Sequence, residues 1–299
     1  MTPEVVADFA YLHILDDVGD PIEPAAHHWL WLRLICNQNI RKLLIIAPPE
    51  SAKTTWIIQA YLGCSIGFWP EWPRIIAAVS GPTAEKRSVA LRTMVTSSQW
   101  RTTFPLVLPA KGMKWETTEW SLAPGGNPRR GRIHPTLAAT GQGGTITGAR
   151  AREAVADDLL DFDNTRTAHQ RNLVDNWLHN SFLSRVLARI GRVITIGTMW
   201  HHDDAYARIR RAGDWVVCHV PLLSESSNVY ANIWYPDNYA GERLGEPLSQ
   251  ADHWGRRRWP KRNVIRLSDP GKPSANTRHI NTSTAWRAAA SRAANAESN

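Results

Sequence analysis

Lys53 and Thr54 stand side by side inside the stretch IIAPPESAKTTWIIQA, residues 45–60. A lysine followed by a hydroxyl residue, between an apolar run and a helix-like segment, is the pair a phosphate-binding loop uses. The ammonium meets the β- and γ-phosphates, and the hydroxyl meets Mg²⁺. The usual loop reads G-x-x-x-x-G-K-[ST], and alignment on Lys53 puts Ala47 and Ala52 at the two glycine positions. Alanine offers the same backbone N–H as glycine, so a cradle survives the exchange wherever the local φ is negative. Residues 42–46 form a short apolar strand candidate, Pro48-Pro49 breaks it, and 54–67 reads as a helix. Pro49, Glu50, Ser51, Ala52 and Lys53 are then the cradle, with Thr54 and Thr55 opening the helix. A buried strand turning through two prolines into a helix with a surface lysine would leave the same pattern, so the loop needs support from elsewhere in the chain.

A nucleotide-hydrolysing loop needs a second carboxylate site at the end of a neighbouring strand. Asp157 and Asp158 close the strand candidate 153–157. Strand alternation points them to opposite sides, one toward a metal and one toward the attacking water. The same pair also suits the start of a helix, where aspartate caps and complements the dipole. A third piece is the run GRVITIGTMWHHDDA, residues 191–205, which places the Thr198 hydroxyl at a carboxyl-end strand edge, where open α/β sheets bind ligands. The neighbouring His201-His202-Asp203-Asp204 run could be read as a metal site, but Asp203 or Asp204 reads better as the start of a helix over 203–211. Side chains adjacent in sequence seldom converge on one ion, and no spaced metal motif accompanies them.

The elements that must position these groups follow from periodicity. Strand candidates at 42–46, 74–80, 153–157, 192–197 and 215–220 alternate with helical stretches, including 82–98. Val174, Trp177, Leu178, Ser181 and Phe182 follow helical spacing. The pattern predicts an α/β fold with a largely parallel central sheet flanked by helices, and with the loop at 45–60 the expected class is a P-loop NTPase of the RecA/ASCE-like kind. Residues 114–122 read as a strand of an antiparallel insertion. The ATPase domain is expected over 1–222, a linker or lid-like segment over 223–259, and a poorly ordered basic tail over 260–299.

Composition narrows the function classes. The chain has 299 residues with 43% hydrophobic and 21% charged content, which suits a folded domain with a sizeable core. No apolar run approaches the roughly 18 residues a membrane helix needs, and the acidic N-terminus has no signal-peptide pattern, so a cytoplasmic protein is expected. Cys36, Cys64 and Cys218 are too scattered for a metal site and read as free thiols. The net charge is +8, but residues 1–254 hold 25 basic and 25 acidic side chains, against 10 and 2 in 255–299. Nucleic-acid contacts by the body must therefore come from local clusters such as Arg129-Arg130-x-Arg132, Arg150-x-Arg152 or Arg208-x-Arg210-Arg211.

Taken in order, APPESAKTT, TGQGGTITGARAREAVADD, the helix with DNW, and ITIGTMWHHDDAYARI resemble the ATPase domain of large terminase subunits of tailed double-stranded DNA phages. The match runs from about residue 24 to 222 and rests on four motifs in the right order. The resemblance implies ATP and Mg²⁺ as cofactors, with Lys53 on the β/γ-phosphates and Thr54 and Asp157 as metal ligands. It implies Asp158 as the residue that polarises water, where relatives often carry glutamate, and Thr198 as the group that couples hydrolysis to DNA movement. Arg150 or Arg152 is the implied arginine finger for a neighbouring subunit, with Arg132 as a third candidate. The segment PIEPAAHHW corresponds to the region near the adenine. Implied partners are double-stranded DNA, a portal protein and a small terminase subunit, in a homo-oligomeric ring on the procapsid and in the bacterial host cytoplasm. Such subunits usually add an RNase H-like nuclease with clustered carboxylates. Residues 255–299 hold only Asp269 and Glu297 as acids, so no nuclease activity is expected from this chain. Two other readings stay open: a helicase-like DNA-dependent ATPase, and an inactive assembly protein that keeps the fold and binds DNA.

Overall fold

Residues 43–46 are apolar in unbroken succession because both faces of their sheet are covered. Leu43 and Ile45 join one buried cluster, while Leu44 and Ile46 join another on the opposite face. A computed structural model of the chain describes residues 1–146, 148–222, 229–244, 246–247 and 262–266. Its strands are β1 (Lys42–Ile46), β2 (Arg74–Ala78), β3 (Val107–Pro109), β4 (Glu119–Trp120), β5 (Leu122–Pro124) and β6 (Leu137–Gly141). They continue with β7 (Glu153–Asp157), β8 (Arg192–Gly197), β9 (Val216–His219), β10 (Val229–Trp234), β11 (Glu246–Pro247) and β12 (Arg262–Arg266). The α-helices are α1 (Pro3–His13), α2 (Ala26–Cys36), α3 (Gly63–Phe68), α4 (Gly81–Thr96), α5 (Ser98–Thr103), α6 (Phe162–Thr165), α7 (Ala168–Trp177) and α8 (Ala205–Ala212).

One sheet runs in the order β11-β12-β10-β9-β1-β8-β7-β2-β6-β4. From β9 to β6 every neighbouring pair is parallel. The α/β class expected from the alternating pattern is therefore the observed one. One face is covered by α1, α2 and a π-helix, Thr55–Leu62, which supply Phe9, Trp31, Trp56 and Tyr61 to the core. The other is covered by α7, the π-helix Leu178–Phe182 and α8, through Trp177, Phe182, Tyr206 and Ile209.

Register brings the strand ends to one edge. Ile46 pairs with Gly197, Asp157 with Ile196, and Ala78 with Asp157. The segments after β1, β2, β7 and β8 therefore leave the sheet together. At the other edge, the first residues of three neighbouring strands form a buried row, Arg74, Glu153 and Arg192. Glu153 takes hydrogen bonds from Arg74 Nε (3.0 Å), Tyr61 Oη (2.6 Å) and Ser65 Oγ (2.6 Å). Burial works against its ionisation, but Arg74, Arg192 and the two hydroxyls outweigh it and hold the carboxyl below its ordinary value.

Several boundaries differ from the sequence expectation. The segment 114–122 gives the two-residue β4, antiparallel to β6, and at Leu122 it already enters β5, which pairs with β3 in a separate two-stranded sheet. The helical stretch at 82–98 divides where Ser97 accepts from Trp100 N and starts α5. The segment after Thr54 is a π-helix before it becomes α3. The sheet also continues past residue 222. Strand β10 lies antiparallel to β9, and β12 lies antiparallel to β10, so 262–266 of the expected tail are strand. The rest of the tail, and most of the expected 223–259 segment's second half, lies outside the described residues. Among the described residues no helix is long and apolar enough to cross a membrane.

Candidate nucleotide site

The loop after β1 is closed by its own backbone and by β8. Ala47 N donates to Gly197 O (3.1 Å), and Thr198 Oγ1 donates to Ala47 O (3.1 Å). Pro48 O accepts from Ser51 Oγ (2.7 Å) and Lys53 Nζ (2.8 Å). Lys53 also reaches Thr198 Oγ1 (3.3 Å) and, more weakly, Ala47 O (3.4 Å). Its side chain is curled into the loop and the residue is only 6% exposed.

Only three non-glycine residues among those described have a positive φ: Glu50 (60°), Ala52 (54°) and Asp158 (48°). All lie at this edge of the sheet. The left-handed conformation costs a residue with a Cβ about 1–2 kcal/mol, and such strain gathers at functional sites. Alternation of left- and right-handed residues turns successive N–H groups inward, which makes an anion-binding concavity. The expectation that alanine replaces glycine at negative φ is corrected at Ala52: the tight entry into the helix needs the left-handed step there, and alanine bears its cost.

Thr54 and Asp157, which the sequence pairs as metal ligands, do meet. Thr54 Oγ1 lies 2.9 Å from Asp157 Oδ2 and 3.1 Å from Oδ1. Asp157 is fully buried, and burial pushes its carboxyl above the ordinary value, while Arg87, Thr54 and Lys53 pull the other way. Both are hard oxygen donors. Two adjacent ligands of an octahedral Mg²⁺ at 2.0–2.1 Å are about 2.9 Å apart, so the donor set and its spacing fit that ion.

Asp158 is placed by a different cause from the one expected. Strand β7 ends at Asp157, so Asp158 stands not within the strand but in a left-handed turn directly after it. Asp158 N donates to Ile196 O (2.9 Å). Burial and the neighbouring Asp157 raise the Asp158 carboxyl, while Lys53, Arg87 and the Thr198 backbone oppose the shift. The turn is braced by Tyr206, whose hydroxyl accepts from Leu159 N (3.0 Å) and donates to Ile196 O (3.3 Å). Gly197 is obligatory beside it, since a Cβ there would stand 2.5 Å from the Tyr206 ring.

Ahead of β1, His28 supports the loop. Its Nδ1 accepts from Ala25 N (3.0 Å), so Nε2 carries the proton and donates to Ser51 O (3.0 Å). The ring stacks on Trp56, and burial lowers its pKa to about 4, keeping it neutral.

Other candidates fall elsewhere. Arg150 and Arg152 precede β7 and sit at the opposite edge of the sheet from Lys53. Arg152 lies 3.5 Å over the Trp72 ring, and Arg150 donates to Ser184 O (3.2 Å). Arg132 is engaged with Leu122 O and Thr136 Oγ1. Within one chain none of the three reaches the loop. In the third basic cluster Arg208 and Arg211 pair with Asp203, and Arg210 lies over Trp234. Asp204 caps α8 through Ala207 N (2.8 Å), as expected of a helix start, and among the described residues no cluster of three or more His, Cys, Asp or Glu side chains with metal-holding geometry occurs. A cavity of about 650 Å³, lined partly by Arg41, Lys42, Asp214 and Tyr239, opens at the amino edge of β1, away from the loop.

Arg87 is the site residue that the sequence reading missed. It lies on α4, and its Nε donates to Asp157 Oδ2 at 2.8 Å. The usable signal is a basic residue two turns into the helix that follows β2. Its meaning depends on β2 lying next to β7, which sequence spacing does not reveal.

No protein-family model matches this chain, and no curated protein matches it. Solved structures do resemble it, two of them DNA-packaging proteins. One is the large terminase of bacteriophage HK97, at 16% identity and a TM-score of 0.48, over 76% of this chain and 46% of that one. The other is the Phi-28 gp11 DNA packaging motor, at 11% identity and a TM-score of 0.36, over 65% of this chain and 60% of that one. The chain thus spans less than two thirds of either matched protein.

Proposed function

We propose that this chain is a Mg²⁺-dependent ATPase whose hydrolysis drives double-stranded viral DNA into a procapsid. The observation that carries the nucleotide part is Lys53. Its ammonium, on a residue only 6% exposed, hydrogen-bonds neutral oxygens alone, while the Asp157 and Asp158 carboxylates act on it at longer range without a direct ion pair among the described residues. A lysine held inside a loop with its direct hydrogen bonds spent on neutral oxygens suits an anion entering that loop, where backbone N–H groups also point. The packaging part rests on the four ordered sequence motifs. On that reading the chain works in a homo-oligomeric ring on a portal protein, with a small terminase subunit, in the host cytoplasm.

In this account Lys53 and the N–H groups of 49–53 bind the β- and γ-phosphates. Thr54 and Asp157 hold Mg²⁺, which when bound offsets the charge that builds on the phosphoryl oxygens. Asp158 orients the attacking water and takes its proton. Burial makes its carboxylate a stronger base than a free aspartate, which offsets the shorter reach compared with glutamate. Thr198 touches both Lys53 and Ala47, so displacement of the ammonium toward phosphate is felt at the end of β8.

Equilibrium binding of a fluorescent ATP analogue with Mg²⁺ tests the assignment. Lys53→Ala is expected to bind about tenfold or more weakly while keeping the wild-type melting temperature. Equal affinity in the variant would return the loop to a purely structural role.

A further inference from the structure

Arg87 meets Asp157 through a single nitrogen. Nε donates to Oδ2, and both carboxylate oxygens are already shared with Thr54. The paired fork that an arginine and a carboxylate prefer is therefore not made. The terminal nitrogens of Arg87 form no hydrogen bond among the described residues, and the side chain is 29% exposed, whereas that of Asp157 is fully buried. The guanidinium thus closes the carboxylate from the solvent side with its two-pronged end unspent.

In this geometry Arg87 would compete with a metal for the Oδ2 atom of Asp157. A Mg²⁺ ion at 2.0–2.1 Å from Oδ2 would stand within about 5 Å of an Nε that is itself 2.8 Å from that oxygen. Both are cations, and the metal is the stronger partner for a hard oxygen. Arg87 has somewhere to go: it is rooted on the helix that leaves the same sheet edge as the phosphate loop, and a planar fork matches a phosphate bidentately.

We propose that Arg87 is a nucleotide-contacting arginine supplied by the chain itself. Before nucleotide arrives it is the counter-ion of Asp157. With Asp157 engaged by Mg²⁺, the Arg87 guanidinium would be released to pair with phosphate oxygens of a bound triphosphate. The proposal rests on the nucleotide reading of the site, and adds to it that metal and arginine compete for Asp157.

The test is binding of a fluorescent, non-hydrolysable ATP analogue and of the matching ADP analogue, each titrated with Mg²⁺, to wild type, Arg87→Gln and Arg87→Lys. At saturating Mg²⁺ the glutamine variant should bind the triphosphate about tenfold more weakly, with a smaller loss for the diphosphate. Its Mg²⁺ midpoint should fall severalfold, because the competing cation is gone. The lysine variant, which keeps the charge but not the fork, should retain the wild-type midpoint and still lose triphosphate affinity. A lower melting temperature with unchanged Mg²⁺ midpoint and unchanged triphosphate affinity would make Arg87 a structural ion pair and overturn the proposal. Failure of the wild-type protein to bind either nucleotide would instead overturn the nucleotide reading, and this inference with it.

Discussion

Lys53 Nζ and Thr198 Oγ1, from residues 145 positions apart, lie 3.3 Å from each other across the junction of β1 and β8. The same hydroxyl donates to Ala47 O, so one side chain senses the lysine and fastens the strand end that carries the loop. A ligand that draws the ammonium away changes the Thr198 environment directly. No longer path through the protein is needed.

Thr198→Val removes that hydroxyl while keeping the shape. Two hydrogen bonds at about 0.5–1.5 kcal/mol each set the scale of the stability loss. If Thr198 couples loop to strand, ATP turnover should fall by a larger factor than analogue affinity. Equal losses in both would reduce Thr198 to a loop fastener.

Ala52→Gly addresses the loop's backbone. Glycine removes a left-handed strain of about 1–2 kcal/mol and returns about 0.5–1 kcal/mol through the freer unfolded chain. Urea unfolding should show the variant as stable as wild type or up to about 1.5 kcal/mol more so, whereas Ala52→Val should be less stable than wild type. A clear destabilisation by glycine would contradict the left-handed assignment at this position.

Gly197→Ala places a methyl group against the Tyr206 ring, in contact with Ile196 O and Leu159 N through the tyrosine hydroxyl. Overpacking of this kind costs about 1–3 kcal/mol. Because Tyr206 braces the turn at Asp158, turnover should drop with stability, and Tyr206→Phe should reproduce part of both losses. Normal turnover in a destabilised Gly197→Ala protein would separate the brace from the chemistry.

The raised Asp158 carboxyl gives a pH signature. A group whose folded pKa lies above its unfolded value near 3.8 favours the folded state most below that value, and the benefit disappears as pH rises through the folded pKa. Asp158→Asn removes this dependence. In nucleotide-free protein the variant should gain melting temperature relative to wild type as pH rises above about 4 and hold the gain at neutral pH. A gap that instead narrows above pH 4 would show that Asp158 is not held in a desolvated site.

Much of this was readable in the chain because apolar runs report burial on both faces of a strand. The strands β1, β7 and β8 were legible at their observed limits, and so was the order strand, loop, Lys53-Thr54, helix. Arg87 was not, since its partner is 70 positions away and their meeting depends on which strands are neighbours. Ala52 misled because residue type argues against a left-handed φ that tertiary closure imposes. The strands beyond 222 were hidden for a related reason: β10 and β12 extend the sheet from its edge, where a mixed polar sequence suffices.

The central claim is that this loop hydrolyses ATP in the service of DNA movement. The most direct measurement is ATP turnover by the purified chain across a range of protein concentration, with and without double-stranded DNA, beside Lys53→Ala and Asp158→Asn. The account predicts turnover that rises with concentration and with DNA and is lost in both variants, as expected of sites completed between neighbouring subunits. Turnover unchanged by Lys53→Ala, or no turnover under any condition while Mg²⁺-ATP still binds, would contradict it.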